Sequence, residues 1–340
     1  MYFETLPPEH LETALMIEAE RMRNAAFDPA ETEAERGVII SEREGAENSP
    51  KYLLSEAMWH LAFHVHPYHW PVIGWKADLD RIKRDELYAY YLQHYAPNNA
   101  VLVIAGRFAP ADAMDKVRAH FGGFRPEPQP PPLAVKEPPQ EGERRGVIRR
   151  PGTQDHVLIG YRVPELAHAD TPALLVLQAV LGGWRGLSPF GGHFVSRSNR
   201  LYRGLVDRKL ATDVTAQHRM QADPGLLTID ATVREGVDAA RVEEAAIAEA
   251  EAMRRRSPAR EELTRAIRQV RAWSAYDLDG PTAQALLSTW LEVVGSHTLL
   301  DDLVARCQRV TAKDVQRVAQ SYLGDEGRTV CTFLARREAA

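Results

Sequence analysis

The chain has two cysteines, Cys307 and Cys331, in 340 residues, too few for a disulfide framework or a thiolate zinc site. One falls in a helical pattern and the other in a strand pattern, so both are expected as buried packing residues. No window approaches the ~18 consecutive apolar residues of a membrane-spanning helix, and the N-terminal stretch lacks the basic and apolar regions of a secretory signal. Neither Gly182-Gly183 nor Gly191-Gly192 is followed by lysine–serine or lysine–threonine, and G-x-G-x-x-G is missing, which argues against a phosphate-cradling loop. Ser188, Ser196 and Ser198 lie near His193 and Asp207, yet without a G-x-S-x-G elbow they do not read as a serine hydrolase. H-E-x-x-H and H-x-x-E-H are both absent. The net charge of -5 and pI near 6.2 give no pull toward nucleic acid. The one basic run, Arg254-Arg255-Arg256, reads as a helix C-terminus complementing its dipole.

What is present begins with length: 340 residues, 44% apolar and 26% charged, suit two domains of ordinary size. The clearest boundary is the proline-rich stretch from Arg125 to Gly142, an extended polyproline connector. The expected division is therefore 1–125, a linker at 126–145, and 146–338. In the first part, apolar spacing predicts a helix from Pro8 to Asn24, a helical stretch bearing Glu35 and Glu42 follows, Ser49-Pro50 opens another, and a fourth runs from Lys83 to His94 before the strand 100–105. The second part offers strands at 156–161 and 225–233, and helices at 171–181, 199–209, 236–255 and 259–275. The chain opens on a strand-like run, Tyr2-Phe3-Glu4-Thr5-Leu6, as though the start of a domain had been removed. An internal repeat links the halves: Asp85 to Tyr95 followed by Val101–Ile104 matches Asp314 to Tyr322 followed by Thr329–Phe333, which suggests two copies of one α+β unit.

Glu35 and Glu42 stand seven residues apart, on one helical face two turns from each other. From spacing alone they are either a cation-facing pair or part of a solvated acidic face with Glu31, Glu33, Glu44 and Glu47. His60 and His64, with His66 and His69 nearby, have a metal-like i, i+4 spacing, but the intervening Leu61-Ala62-Phe63 lacks a glutamate, which favours packing or capping roles.

Several ordered fragments resemble the insulinase/pitrilysin family of zinc metallopeptidases, the inverzincins, which include mitochondrial processing peptidase. They are Tyr2-Phe-Glu-Thr-Leu-Pro with Leu11 to Met22, Glu35-Arg-Gly-Val-Ile-Ile-Ser-Glu42, His66-Pro-Tyr with Ile73-Gly74, and Tyr95-Ala-Pro-Asn-Asn-Ala with Val103-Ile-Ala-Gly106. The resemblance spans nearly the whole chain. It implies an α+β fold of two homologous domains, each a mostly antiparallel sheet covered by helices, with the first domain incomplete. It also implies zinc held by two histidines of an H-x-x-E-H helix and a distant glutamate, matched here by Glu42, with Glu35 supporting the site from the same helix. Because H-x-x-E-H is missing, the resemblance implies an N-terminally truncated peptidase subunit that alone neither holds zinc tightly nor cuts peptides. The family's substrate-gripping arginine and tyrosine are replaced by Val206 and Thr212. That implies a homologous partner subunit carrying the pair, with extended or unfolded polypeptide as substrate. The alternative is a non-catalytic homologue serving as a structural or regulatory subunit. Relatives of this kind are often exported, which favours the periplasm over the cytoplasm.

Overall fold

The computed structural model describes residues 1–187 and 196–336. In chain order it has α1 (Leu11–Asn24), α2 (Pro29–Ala46), α3 (Pro50–Ala62), α4 (Lys76–Leu79), α5 (Arg84–His94), α6 (Pro110–Phe121), β1 (Arg144–Pro151), β2 (His156–Val163), α7 (Thr171–Gly182), β3 (Ala211–His218), β4 (Gly225–Val233), α8 (Ala239–Arg255), α9 (Arg260–Tyr276), α10 (Pro281–Val294), α11 (Leu299–Gln308), α12 (Ala312–Tyr322) and β5 (Arg328–Arg336). Among the described residues no helix is long and apolar enough to cross a membrane.

Two compact units divide the chain: Met1–Ala46 with Pro71–Val135 and Gly280–Thr289, and Glu47–Trp70 with Lys136–Asp279 and Trp290–Ala340. This partition differs from the expected 1–125 and 146–338, because α3 belongs with the second unit. The reason is packing. Leu54, Met58 and Ala62 of α3, with Phe63, are buried against Leu158, Leu226, Cys331 and Phe333 of the sheet, each fully buried large side chain contributing about 1.5–3 kcal/mol. Gly160 in the middle of β2 allows this approach, since a Cβ there would stand 2.6 Å from the Met58 sulfur.

The first unit is helical. Here α1 packs on α6, and α2 on α4 and α5. Tyr91 of α5 is buried, its hydroxyl donating to the Arg21 carbonyl at 3.0 Å and accepting the Ala25 N–H at 3.3 Å. The strand expected at 100–105 does not form, and residues 2–6 are likewise without strand structure. Val101 is 56% exposed and Phe3 63%. A strand is stabilised by its neighbours in a ladder, and among the described residues neither segment has one.

In the second unit the five strands form one mixed sheet in the order β1-β5-β2-β4-β3. Only β1 and β5 run parallel; the other neighbours are antiparallel. While α3 covers one face, α8 and α12 pack on β2 from the other, with α7, buried along its whole length, between β3 and α9. The helix–strand repeat is thus realised at α12 and β5, where β5 is flanked on both sides, while its counterpart after α5 stays open. The expected helix at 199–209 reduces to a single π-helical turn, Tyr202–Val206, after a short lead-in.

Candidate functional site

Asp28 opens α2 by accepting the N–H groups of Ala30 and Glu31 at 2.8 and 3.1 Å, satisfying amides that a helix start leaves unpaired. Two arginines then fix the helix's rotation. Arg36 donates to the Asp80 carbonyl at 2.6 Å. Arg43, only 4% exposed, donates to the Gly74 carbonyl at 2.7 Å and lies 5.3 Å from the Trp75 ring. Each arginine directly follows one of the two glutamates of interest. Since successive side chains diverge by about 100° around the axis, anchoring Arg36 and Arg43 turns Glu35 and Glu42 together onto an adjoining flank of the helix. Both glutamates are exposed there, and among the described residues neither has a hydrogen-bond or ion-pair partner.

Zinc sites need three or four protein ligands. Among the described residues no group of three or more His, Cys, Asp or Glu is placed to hold a metal ion. The residues present therefore do not compose a zinc site; they offer a pair of carboxylates.

The histidines have other work. Because α3 ends at Ala62, His64 falls outside the helix and shares no face with His60. His66 is buried; its Nδ1 accepts the Tyr68 N–H at 3.2 Å, closing the turn Pro67–His69, and its Nε2 lies 3.5 Å from the Asp223 carboxylate. The N–H groups of His64, Val65 and His66 all donate to the Glu137 carboxylate, at 2.8, 2.9 and 2.9 Å. This Glu137 side chain is 4% exposed and stands 3.8 Å from Arg162. Burial pushes its carboxyl up, but the three amides and Arg162 outweigh that and hold it below the usual range. Nothing in the proline-rich stretch singled Glu137 out, because its partners are some 70 residues away in sequence.

Val206 closes the π-helical turn, and Thr212 is exposed at the irregularity between Ala211 and Asp213 in β3. An isopropyl group and a short hydroxyl supply no guanidinium or phenol with which to grip a peptide. Beside them, Lys51 Nζ stands 3.5 Å from Asp230 and 3.9 Å from Asp213, a cluster the sequence did not reveal because it joins a helix and two strands. Of the serines, Ser196 and Ser198 sit 3.4 Å apart, and Arg265 holds the Ser198 carbonyl at 2.8 Å. Ser188, Gly191-Gly192 and His193 lie outside the described residues. Cys307 and Cys331 are buried and free, and burial pushes both thiols up to about 12, as suits packing residues.

A family model described as the peptidase M16 inactive domain matches residues 81–270, more than half of the chain. The chain belongs to the peptidase M16 family. Within the family it is similar to the zinc protease PqqE of Helicobacter pylori, with 29% identity over 224 residues that cover 65% of this chain and 48% of that protein. It is also similar to the probable mitochondrial-processing peptidase subunit beta of Schizosaccharomyces pombe, with 22% identity over 318 residues, 92% of this chain and 68% of that one. Among solved structures, a protease from Helicobacter pylori superposes with a TM-score of 0.89 at 24% identity, covering 97% of this chain and 78% of that chain, which shows the α+β M16 fold. The match spans about half the length of the zinc proteases PqqE of Helicobacter pylori and YmxG of Bacillus subtilis.

Proposed function

We propose that this M16 chain is a subunit of a zinc-dependent endopeptidase acting on extended or unfolded peptides. Glu42 serves as one carboxylate ligand and Glu35 supports it, while the imidazoles and the water-activating carboxylate come from residues outside this sequence. What supports the reading is the pair of arginine anchors on α2, which present Glu35 and Glu42 on one side with no competing partner. A free carboxylate aimed by a rigid helix suits a metal ligand, and zinc accepts carboxylate oxygen. In this reading the chain alone does not cut peptides, since its described residues bring no metal-holding group together. The hydrophobic and small polar side chains at Val206 and Thr212 fit a homologous partner subunit that supplies the Arg/Tyr pair. The periplasm is the proposed compartment.

The test uses the chain assembled with an M16 polypeptide that supplies H-x-x-E-H. Glu42→Gln should lower zinc content and peptide hydrolysis together, and Glu35→Gln should cost about 10–100-fold in metal affinity or activity. Unchanged zinc and activity in Glu42→Gln would contradict the assignment. A second reading, a non-catalytic structural or regulatory subunit, is favoured by the substitution of both gripping residues. It requires that Glu42→Gln leave the assembly intact and its activity unaltered.

A further inference from the structure

The outer edge of β1, in the second unit, is open among the described residues. All eight residues of β1 pair with β5 in one unbroken register, from Arg144↔Thr329 to Pro151↔Arg336. As β1 is the end strand of the sheet, its other side turns backbone N–H and C=O groups outward. Among the described residues none of these groups has a partner. Natural sheets blunt such edges by shortening, bulging or covering them, or with charged side chains and proline; β1 is long, regular and uncovered, and its guard is the charge of its arginines with Pro151 at its end.

Its side chains alternate between the two faces. Arg144 reaches the Leu61 and Ala62 carbonyls at 2.8 and 3.0 Å on the α3 side, and Ile148 packs against the α3 core. Arg145 points the other way and donates to Glu243 of α8 at 2.7 Å. Arg150 therefore lies on the α3 side and Arg149 on the α8 side. Both are exposed and, among the described residues, unpaired, as is Arg336, one position along in the register. Val147, two residues before Arg149, is 51% exposed.

These charges reject one strand and recruit another. A second copy of β1 would set arginine against arginine, which disfavours self-pairing, whereas an added strand with acidic residues facing Arg149 and Arg150 gains opposite-charge pairs on both of its faces. We propose that the free edge of β1 docks an acidic extended segment of another protein by strand addition, with an apolar residue opposite Val147 and carboxylates opposite Arg149 and Arg150. This docking is independent of zinc and of Glu42.

The probe is a fluorescein-labelled peptide of alternating threonine and valine ending in a Glu-Asp-Glu block, read by anisotropy on the full chain. The expected result is saturable binding, weakened about tenfold or more by the double variant Arg149→Glu with Arg150→Glu, and abolished when alternate peptide amides are N-methylated on the ladder-forming side. Hydrogen exchange should show new protection confined to β1, and circular dichroism and melting of the variant confirm its fold. Equal binding of the N-methylated peptide, equal binding to the charge-reversed variant, or equally effective competition by a non-peptide polyanion such as heparin would each overturn the proposal.

Discussion

His218, buried at the end of β3, is the residue whose chemistry reports most directly on folding. Burial pushes its pKa down to about 4, with the Pro164 carbonyl holding part of the shift back. In the unfolded chain it titrates near the ordinary value of about 6.5, so between these values the unfolded state binds more protons than the folded one. Stability is then complete above about pH 6.5 and falls as pH drops toward about 4, by up to roughly 3 kcal/mol. Urea unfolding across that range should show the decline, and His218→Leu should flatten it; an unchanged slope would place the proton elsewhere. The same scale sets what the sequence revealed of the site. Glu35 and Glu42 were legible because a seven-residue spacing fixes a shared helical face whatever surrounds it. That they are held outward by Arg36 and Arg43 was not, since those anchors act through carbonyls of Asp80 and Gly74 that only the fold brings near.

Among the elements, the connector between the units carries the most unexpected contact. Its proline content suits a semi-stiff linker, yet from Lys136 onward it belongs to the second unit, and Glu137 ties it to the turn after α3 through three amides. Hydrogen bonds to a charged group contribute about 1.5–3 kcal/mol, so Glu137→Gln should destabilise the chain by about that much. Faster hydrogen exchange at His64, Val65 and His66 should accompany the loss. Because the carboxyl is held below its ordinary pKa, this stabilisation is present above the unfolded value near 4.3 and is lost as pH falls through the folded one. The variant should lack that acid limb, and wild-type exchange rates at those amides would contradict the latch.

The helix α3, entered behind the cap Ser49, is readable from sequence, as is α12 through the Asp314–Tyr322 repeat and as are the apolar strands β2 and β4. β1 was missed because Arg-Arg-Gly-Val-Ile-Arg-Arg-Pro has too few apolar residues to show alternation. Residues 100–105 carry the same apolar signal as β5, but a strand's existence depends on neighbours that its own letters do not specify.

At the scale of the whole molecule, the sheet-bearing unit has a continuous core, while the unit carrying Glu35 and Glu42 is an assembly of helices with exposed extended segments. Family membership was legible in ordered fragments spread along the chain, and the fold agrees with it. The proposed metal role rests on a single carboxylate position, because a zinc site is a property of several residues brought together and the described residues bring no such group together. Zinc content of the purified chain, after exposure to excess zinc and gel filtration, tests this most directly. Substoichiometric zinc with no cleavage of an unfolded peptide is the expected result. One tightly held zinc per chain, with cleavage that a chelator stops, would contradict it.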